Sequence, residues 1–436
     1  MMKSVQTLSI AVLTTITVLL SACSSSETIA DNLPDNYIIN MVYPKQNIQL
    51  NAEQLRFVMD NNAFAYDFFN RVSAIDGSKS SFCSPLSVSF MLGMLQAGAT
   101  GETRNQILKV MRMDGSTVDG LNDYYAKLTK ELPGLDEKVT LDIANSIYVN
   151  NRKGTIRDTY AADMNRYYDA PVANLDFNNP ATLGFINGWC NDKTRGMIPE
   201  ILDEINKNCV MYLLNAIYYK ADWTEKFEKK YTRQEPFATA SGSTKELPMM
   251  HQRVRAEWGE CSDYTTIDLP YGDGSFSMTI FLPKSGKSTD DILSRMEFDL
   301  SPKCGNSNWD YRASVCDVDV KIPRFVTATE MDKLPKVLSA MGMPLAFDPE
   351  YAEFTEMVNE GTLYVSMMKQ KAKIEVNEEG SEAAAVTIAG MEFTTAIHPE
   401  PVYEKREFHA NHPFVYLIRE RSTNIILFMG KYMGED

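Results

Sequence analysis

The 436-residue chain is 44% hydrophobic and 10% aromatic, which is ample apolar material for one large core. Its 43 lysines and arginines stand against 58 aspartates and glutamates, a net charge of −15, and no long basic run is present. Phosphate backbones repel such a chain, which counts against nucleic acid and heparin-like polyanions as partners.

In chain order, Met1-Met2-Lys3 gives a short positive start. Leu8 to Leu20 is a mostly apolar run closed by Leu20-Ser21-Ala22-Cys23. Spanning a bilayer takes about 20 apolar residues, so residues 1–22 read as an export signal rather than a membrane span. The small residues ahead of Cys23 resemble the lipobox of bacterial lipoproteins, whose cysteine is acylated and becomes the new N-terminus. The expected location is a bacterial cell envelope, as an outer-membrane lipoprotein on its periplasmic or surface side, touching the membrane only through its lipid. Residues 23–50 are polar, carry Pro34 and Pro44, and read as a tether to a globular domain over 51–436.

Leu55, Val58, Met59, Ala63, Phe64 and Phe68 recur at helical spacing and predict a long first helix with one buried face. Ser84-Pro85 opens a second helix. The serine caps it, and the proline takes the first helical position, where a missing N–H costs nothing. Its body, Leu86 to Gln96, is apolar nearly all round and therefore lies inside the fold, with Gly98 placed to end it. Leu141, Ile143 and Val149 fit an intermittent strand, and the nearly continuous apolar run from Val210 to Tyr219 fits a strand covered on both faces. Phe276 to Leu282 and Val318 to Ile322 predict further strands. Phe414 to Ile418 and Ile425 to Met429 flank a polar turn and predict a buried hairpin. Helices first and strands after, with no internal repeat or mid-chain linker, indicate a single large α+β domain.

Six cysteines follow Cys23: Cys83, Cys190, Cys209, Cys261, Cys304 and Cys316. None forms a Cys-x-x-Cys pair, so zinc chemistry is unsupported and buried free thiols are expected. Gly-x-Ser-x-Gly and His-Glu-x-x-His are absent. Gly286-Lys287-Ser288 lacks the leading glycine of a phosphate loop and reads as a surface turn. His398, His409 and His412 cluster in sequence, but Pro413 argues against a helix that would face them one way. Neither metal nor cofactor is expected, and the chain does not read as an enzyme.

The informative stretch begins Glu378-Glu379-Gly380-Ser381-Glu382-Ala383-Ala384-Ala385-Val386-Thr387-Ile388-Ala389-Gly390 and runs to Pro413. With strand periodicity, Ser381, Ala383, Ala385, Thr387 and Ala389 share one face, and all are small. The same residues are fair helix formers, with Ser381 as cap. The stretch reads either as an alanine-rich surface loop or as an element with an exposed and a buried state.

Residues 378–389 resemble the hinge of inhibitory serpins, and Phe408-His409-Ala410-Asn411-His412-Pro413-Phe414-Val415-Tyr416-Leu417-Ile418 resembles the signature after their reactive-centre loop. Phe82-Cys83-Ser84-Pro85-Leu86-Ser87, Gly98-Ala99-Thr100-Gly101-Glu102-Thr103, Asn215-Ala216-Ile217-Tyr218-Tyr219-Lys220 and Trp223 are similar to serpin landmarks in serpin order, from about residue 52 onward. The resemblance implies the serpin fold, with helices around a central mixed sheet and an exposed loop at about 380–407. It also implies suicide inhibition, in which a protease cuts the loop and is trapped as the cut strand enters the sheet. Glu378, Gly380, Ser381, Glu382, Ala383, Ala384, Ala385 and Val386 then form the hinge. Ser84, Ser87 and Asn215 match the shutter where the sheet parts, with Gln370 in place of a common histidine. Trp223 matches the breach, and Arg324 matches a base that pairs with Glu378.

Counting from Gly380 places the reactive bond at Thr394-Thr395. Counting back from Pro413 lands near Val402, and Lys405-Arg406 offers a basic alternative. No lysine or arginine lies between Glu382 and Tyr403, so the resemblance points to an elastase-like or papain-like protease as partner and to a monomer. The competing reading is a non-inhibitory binding or structural protein with the same fold.

Overall fold

The computed structural model describes residues 37–38, 46–300, 312–381 and 402–434. The first helix, Ala52–Asp76, starts at a reciprocal cap: Asn51 Oδ1 accepts from Gln54 N at 2.9 Å, and Gln54 Oε1 accepts from Asn51 N at 3.1 Å. Its buried face carries Phe57, Val58, Phe64, Phe68 and Phe69. Ser84 caps the second helix, Pro85–Gly98, through Ser87 N at 3.1 Å. That helix is buried along almost its whole length, as its all-round apolar sequence demands. It packs against strands of both large sheets, Ile426–Tyr432 of one and Met211–Asp222 of the other.

Among the described residues the central sheet has six strands, in the order Phe325–Met331, Met367–Val376, Gly380–Ser381, Met211–Asp222, Val139–Asn150, Val172–Leu175. A second, larger sheet contains Thr244–Glu260, Tyr264–Tyr271, Phe276–Pro283, Arg312–Pro323, Lys405–His409 and the hairpin Phe414–Glu420 with Ile426–Tyr432. The expected α+β architecture is present, with the buried hairpin in place. Gly286, with φ +79°, sits in the expected turn. Cys83, Cys190, Cys209, Cys261 and Cys316 are buried free thiols.

Packing begins slightly ahead of residue 51. Ile48 belongs to the main core, and its N–H donates to Ser422 Oγ at 3.1 Å. Within the segment read as tether, Tyr37–Ile38 pairs in parallel with Arg253 and Val254. A polar composition hid both contacts: one is a two-residue backbone pairing with a distant strand, the other involves a single apolar residue whose N–H reaches a turn far along the chain. The expectations for residues 1–22, Cys23, Cys304 and His398 lie outside the described residues.

Candidate functional site: a seam in the central sheet

The strands Met211–Asp222 and Met367–Val376 run parallel and pair directly from Met367↔Tyr212 to Lys371↔Ala216. Above that they diverge, and Gly380–Ser381 lies between them, antiparallel to both. Gly380 pairs with Asp222, and Ser381 pairs with Ala221 on one side and Val376 on the other. The sheet is therefore closed at one end and already holds the first two residues of an extra strand at the other.

The sequence dictates this turn-back. Gly380 has φ +151°, and a Cβ there would lie 2.0 Å from the Ala221 carbonyl oxygen, so only glycine fits. The preceding Asn377 accepts from Glu379 N through Oδ1 at 3.0 Å and exchanges backbone bonds with Gly380. Trp223 closes the turn from below. Its Nε1 donates to Asn377 O at 2.9 Å, and its ring stacks on Tyr271 at 4.4 Å and 8°. The Tyr271 hydroxyl meets Ser381 Oγ at 2.8 Å, and both residues are buried. Burial raises the Tyr271 phenol above its ordinary range, so it stays neutral and available for that bond.

Two carboxylates lock the approach. Glu378, 1% exposed, accepts a fork from Arg324, with Nε at 2.9 and 2.7 Å and a further bond from Nη2, and a bond from Thr232 Oγ1 at 2.6 Å. Burial opposes its charge, but the guanidinium and the hydroxyl outweigh that and hold the carboxyl below its ordinary range. Glu379 pairs with Lys226 at 2.9 Å and Lys229 at 3.2 Å, and the Lys226 contact leads in lowering its pKa. Arg324 and Glu378, far apart in sequence, thus meet as the resemblance implied.

At the closed end, Gln370 and Asn215 face each other in register, and Gln370 Nε2 donates to Asn215 Oδ1 at 3.1 Å. Gln370 also spans Ser84, accepting from its N at 3.0 Å and donating to its O at 3.1 Å. Ser84 Oγ donates to Leu427 O at 2.7 Å. Ser87 lies beside this network but enters it only through its backbone N–H, and its hydroxyl has no hydrogen-bond partner among the described residues. Asn145, missed in the sequence, accepts from Asn215 Nδ2 at 2.9 Å, while its own buried Nδ2 has no partner among the described residues. All these groups are buried, so Gln370→Leu strands the Ser84 N–H and Asn215 Oδ1. It is expected to cost about 1–3 kcal/mol per stranded group; urea unfolding checks this, and an unshifted midpoint contradicts it.

Beyond the seam, Lys405–His409 pairs in parallel with Asp317–Lys321. Arg406 lies over the Trp258 ring at 4.8 Å, Arg255 over Tyr403 at 4.3 Å, and His409 Nε2 contacts Asp319 Oδ2 at 2.9 Å. His251 reaches the other Asp319 oxygen at 2.6 Å. The basic pair Lys405-Arg406 is thus built into a sheet, which corrects its reading as bait: a protease cleft needs a free extended segment. Val402 is 100% exposed. Glu382, Ala383, Ala384, Ala385, Val386, Thr394 and Thr395 lie outside the described residues.

A large α+β domain whose central sheet is parted at one end and holds the first residues of another strand defines a protein class by itself. The comparisons agree. Residues 59–434 match the family model "Serpin (serine protease inhibitor)". The leukocyte elastase inhibitor of Xenopus tropicalis is 31% identical over 376 residues, covering 85% of this chain and 97% of that protein. Antithrombin-III of Homo sapiens is 32% identical over 385 residues, covering 85% and 80%. The native-state structure of the thermophilic serpin tengpin superimposes with a TM-score of 0.77 at 26% identity, covering 90% of this chain and 97% of tengpin. The chain belongs to the serpin family.

Proposed function

We propose that this serpin is a single-use inhibitor of serine or cysteine endopeptidases, which traps the acyl-enzyme by drawing its cut loop into the seam. The observation that carries this reading is the placement of Gly380–Ser381 as the start of a strand between Met211–Asp222 and Met367–Val376. Continuing the Ser381↔Ala221 register sets Met391 opposite Met211, where that strand begins. Continuing Val376↔Ser381 sets Gly390 opposite Met367.

The same registers divide the inserting residues between two faces. Ser381, Ala383, Ala385, Thr387 and Ala389 align with Ala221, Tyr219, Ile217, Asn215 and Leu213, and the four apolar partners line the main core. Small side chains suit that crowded face. Glu382, Ala384, Val386 and Ile388 align with Lys220, Tyr218, Ala216 and Leu214, of which Ala216 and Leu214 belong to the smaller cluster on the other side. Thr387 aligns with both Asn215 and Gln370, where a hydroxyl can donate and accept between two groups that insertion separates.

The register favours Thr394-Thr395 as the reactive bond. Thr394 falls just past the end of the receiving strands, so the acyl-enzyme is carried roughly 40 Å along them. A cut at Val402 leaves a long unpaired tail and a slack tether. Thr394 after Phe393 suits an elastase-like or papain-like pocket, in keeping with the name of the Xenopus tropicalis relative. Mixing the protein with elastase is expected to yield a covalent complex stable to boiling in detergent, with a released peptide beginning at Thr395. Clean cleavage without a complex across a broad protease panel contradicts inhibition and favours the binding-protein reading.

We also place the protein on the bacterial envelope through acylation of Cys23, supported by the short apolar run and the small residues before it. Metabolic palmitate labelling that Cys23→Ala abolishes is the expected result; unchanged labelling contradicts it.

A further inference from the structure

On the face of the central sheet that carries the smaller core cluster, a cleft of about 350 Å³ opens beside the seam. Its floor is the strand pair Phe325–Met331 and Met367–Val376, where Ala328 stands opposite Lys373 and Glu330 opposite Lys371. Its wall is residues 197–200, in the segment that follows the helix Ala181–Lys193. Asn187 in that helix holds the segment, accepting at Oδ1 from Ile201 N and Leu202 N, each at 3.0 Å. Thr194 Oγ1 accepts from Ile198 N at 3.0 Å. Ile198, Ile201 and Leu202 pack in one cluster with Leu214 and Ala216 of Met211–Asp222. The wall therefore belongs to one side of the seam and the floor to the other. Lys371 Nζ bridges the two, donating to Glu200 O at 3.1 Å.

The lining is apolar on one side and cationic on the other. Met197, Pro199 and Ala328 supply the apolar part, and Val326, 44% exposed, continues the Ala328 row along its strand. Strand periodicity puts Lys369, Lys371 and Lys373 on the same face. Glu330 engages the first two, one through each carboxylate oxygen, with Lys371 at 3.2 Å. Lys373 is exposed and makes no ion pair among the described residues. Glu200 is the other acid of the lining; Glu375 lies beyond it and accepts from Asn377 Nδ2 at 3.4 Å. Three lysines against Glu330 and Glu200 leave one positive charge in excess, on a chain whose net charge is −15.

We propose that this cleft binds a small organic monoanion with an apolar body, a free medium-chain carboxylate, and that the bound anion holds the seam shut. The carboxylate meets Lys373, and the chain lies along Met197, Pro199 and Ala328. The volume is at the small end of the range for ligand pockets, about 300–1,000 Å³, which suits a short chain rather than a lipid. A strand entering between Met211–Asp222 and Met367–Val376 moves wall from floor by one strand spacing, about 4.8 Å, and takes the cleft apart. A ligand that binds only the uninserted form favours that form, and by linkage insertion expels the ligand. This inference rests on the inhibitor reading for its consequence, but not for the site itself.

Calorimetric titration of the full chain with decanoate, kept below its micelle-forming concentration, is expected to show one saturable site. Lys373→Glu reverses the charge and Ala328→Trp fills the floor; both positions are exposed, so the fold is kept, and unchanged melting checks this. Each variant is expected to weaken binding about tenfold or more, and neutral 1-octanol to bind the natural chain weaker by a similar factor. Protein clipped in the loop, with a raised Tm, is expected to lose the site. Saturating decanoate is expected to slow complex formation with elastase about fivefold or more, after correction for its effect on elastase with a peptide substrate, and not to slow it in the variants. No saturable binding, equal binding of octanol, or binding that neither variant weakens overturns the site. A dimer that decanoate disperses in sedimentation makes the occupant a second copy and overturns it too. Equal affinity for intact and clipped protein overturns the hold on the seam. Absence of a complex even without decanoate overturns the inhibitor reading, and calorimetry then still decides the cleft.

Discussion

Replacing Ser381 by arginine is expected to turn the protein from a trap into a substrate. Ser381 is 1% exposed and occupies the first inward-facing position of the extra strand, bonded to Tyr271. The two acids of the turn do not serve a guanidinium there, because Glu378 is already engaged by Arg324 and Glu379 by Lys226 and Lys229. Burying it unpaired costs several kcal/mol, so the hinge leaves the seam and insertion must begin uphill. Each 1.4 kcal/mol on the insertion barrier slows it about tenfold relative to hydrolysis of the acyl-enzyme. The expected result with elastase is loss of covalent complex by about 100-fold or more, with the loop cut normally. An unchanged number of inhibitor molecules consumed per protease contradicts the hinge assignment.

The second large effect concerns the ion pair below the hinge. Arg324→Ala leaves a carboxylate whose side chain is 2% exposed without its main counterion. Breaking a buried pair costs 3–5 kcal/mol, and the lower end applies because Arg324 itself is 43% exposed and Thr232 remains bonded to Glu378. About 3 kcal/mol corresponds to a loss of roughly 4 °C in Tm for a domain of this size. The effect carries a pH signature. The folded pKa of Glu378 is depressed, so its contribution is present above the ordinary carboxylate value and fades as pH falls through the folded one. Melting curves of the two proteins are expected to converge in acid; a constant gap down to about pH 3 contradicts the assignment.

The elements themselves were plain in the sequence wherever local chemistry and burial agreed. Ser84-Pro85 before an all-apolar run fixes a capped, buried helix, and the continuous apolar run from Val210 to Tyr219 fixes a strand covered on both faces, with one side on each core cluster. Residues that act across the fold were legible only through the family resemblance. Nothing local to Glu378 or Arg324 reveals that they meet, because their contact depends on the divergence of two strands. Asn145 and Tyr271 escaped because their strands carry other polar residues, Asp142 and Ser146 in one and Thr266 and Asp268 in the other, and periodicity singles out neither.

The most direct test of the account is the Tm of the protein before and after a single cut between Glu382 and Val402. If the cut strand pairs with Met211–Asp222 and Met367–Val376, it buries roughly 500 Å² of apolar surface, worth about 12 kcal/mol before the cost of ordering. The clipped protein is then expected to melt about 10 °C or more above the intact one. An equal or lower Tm means that the seam did not take up the strand, and it contradicts the trap.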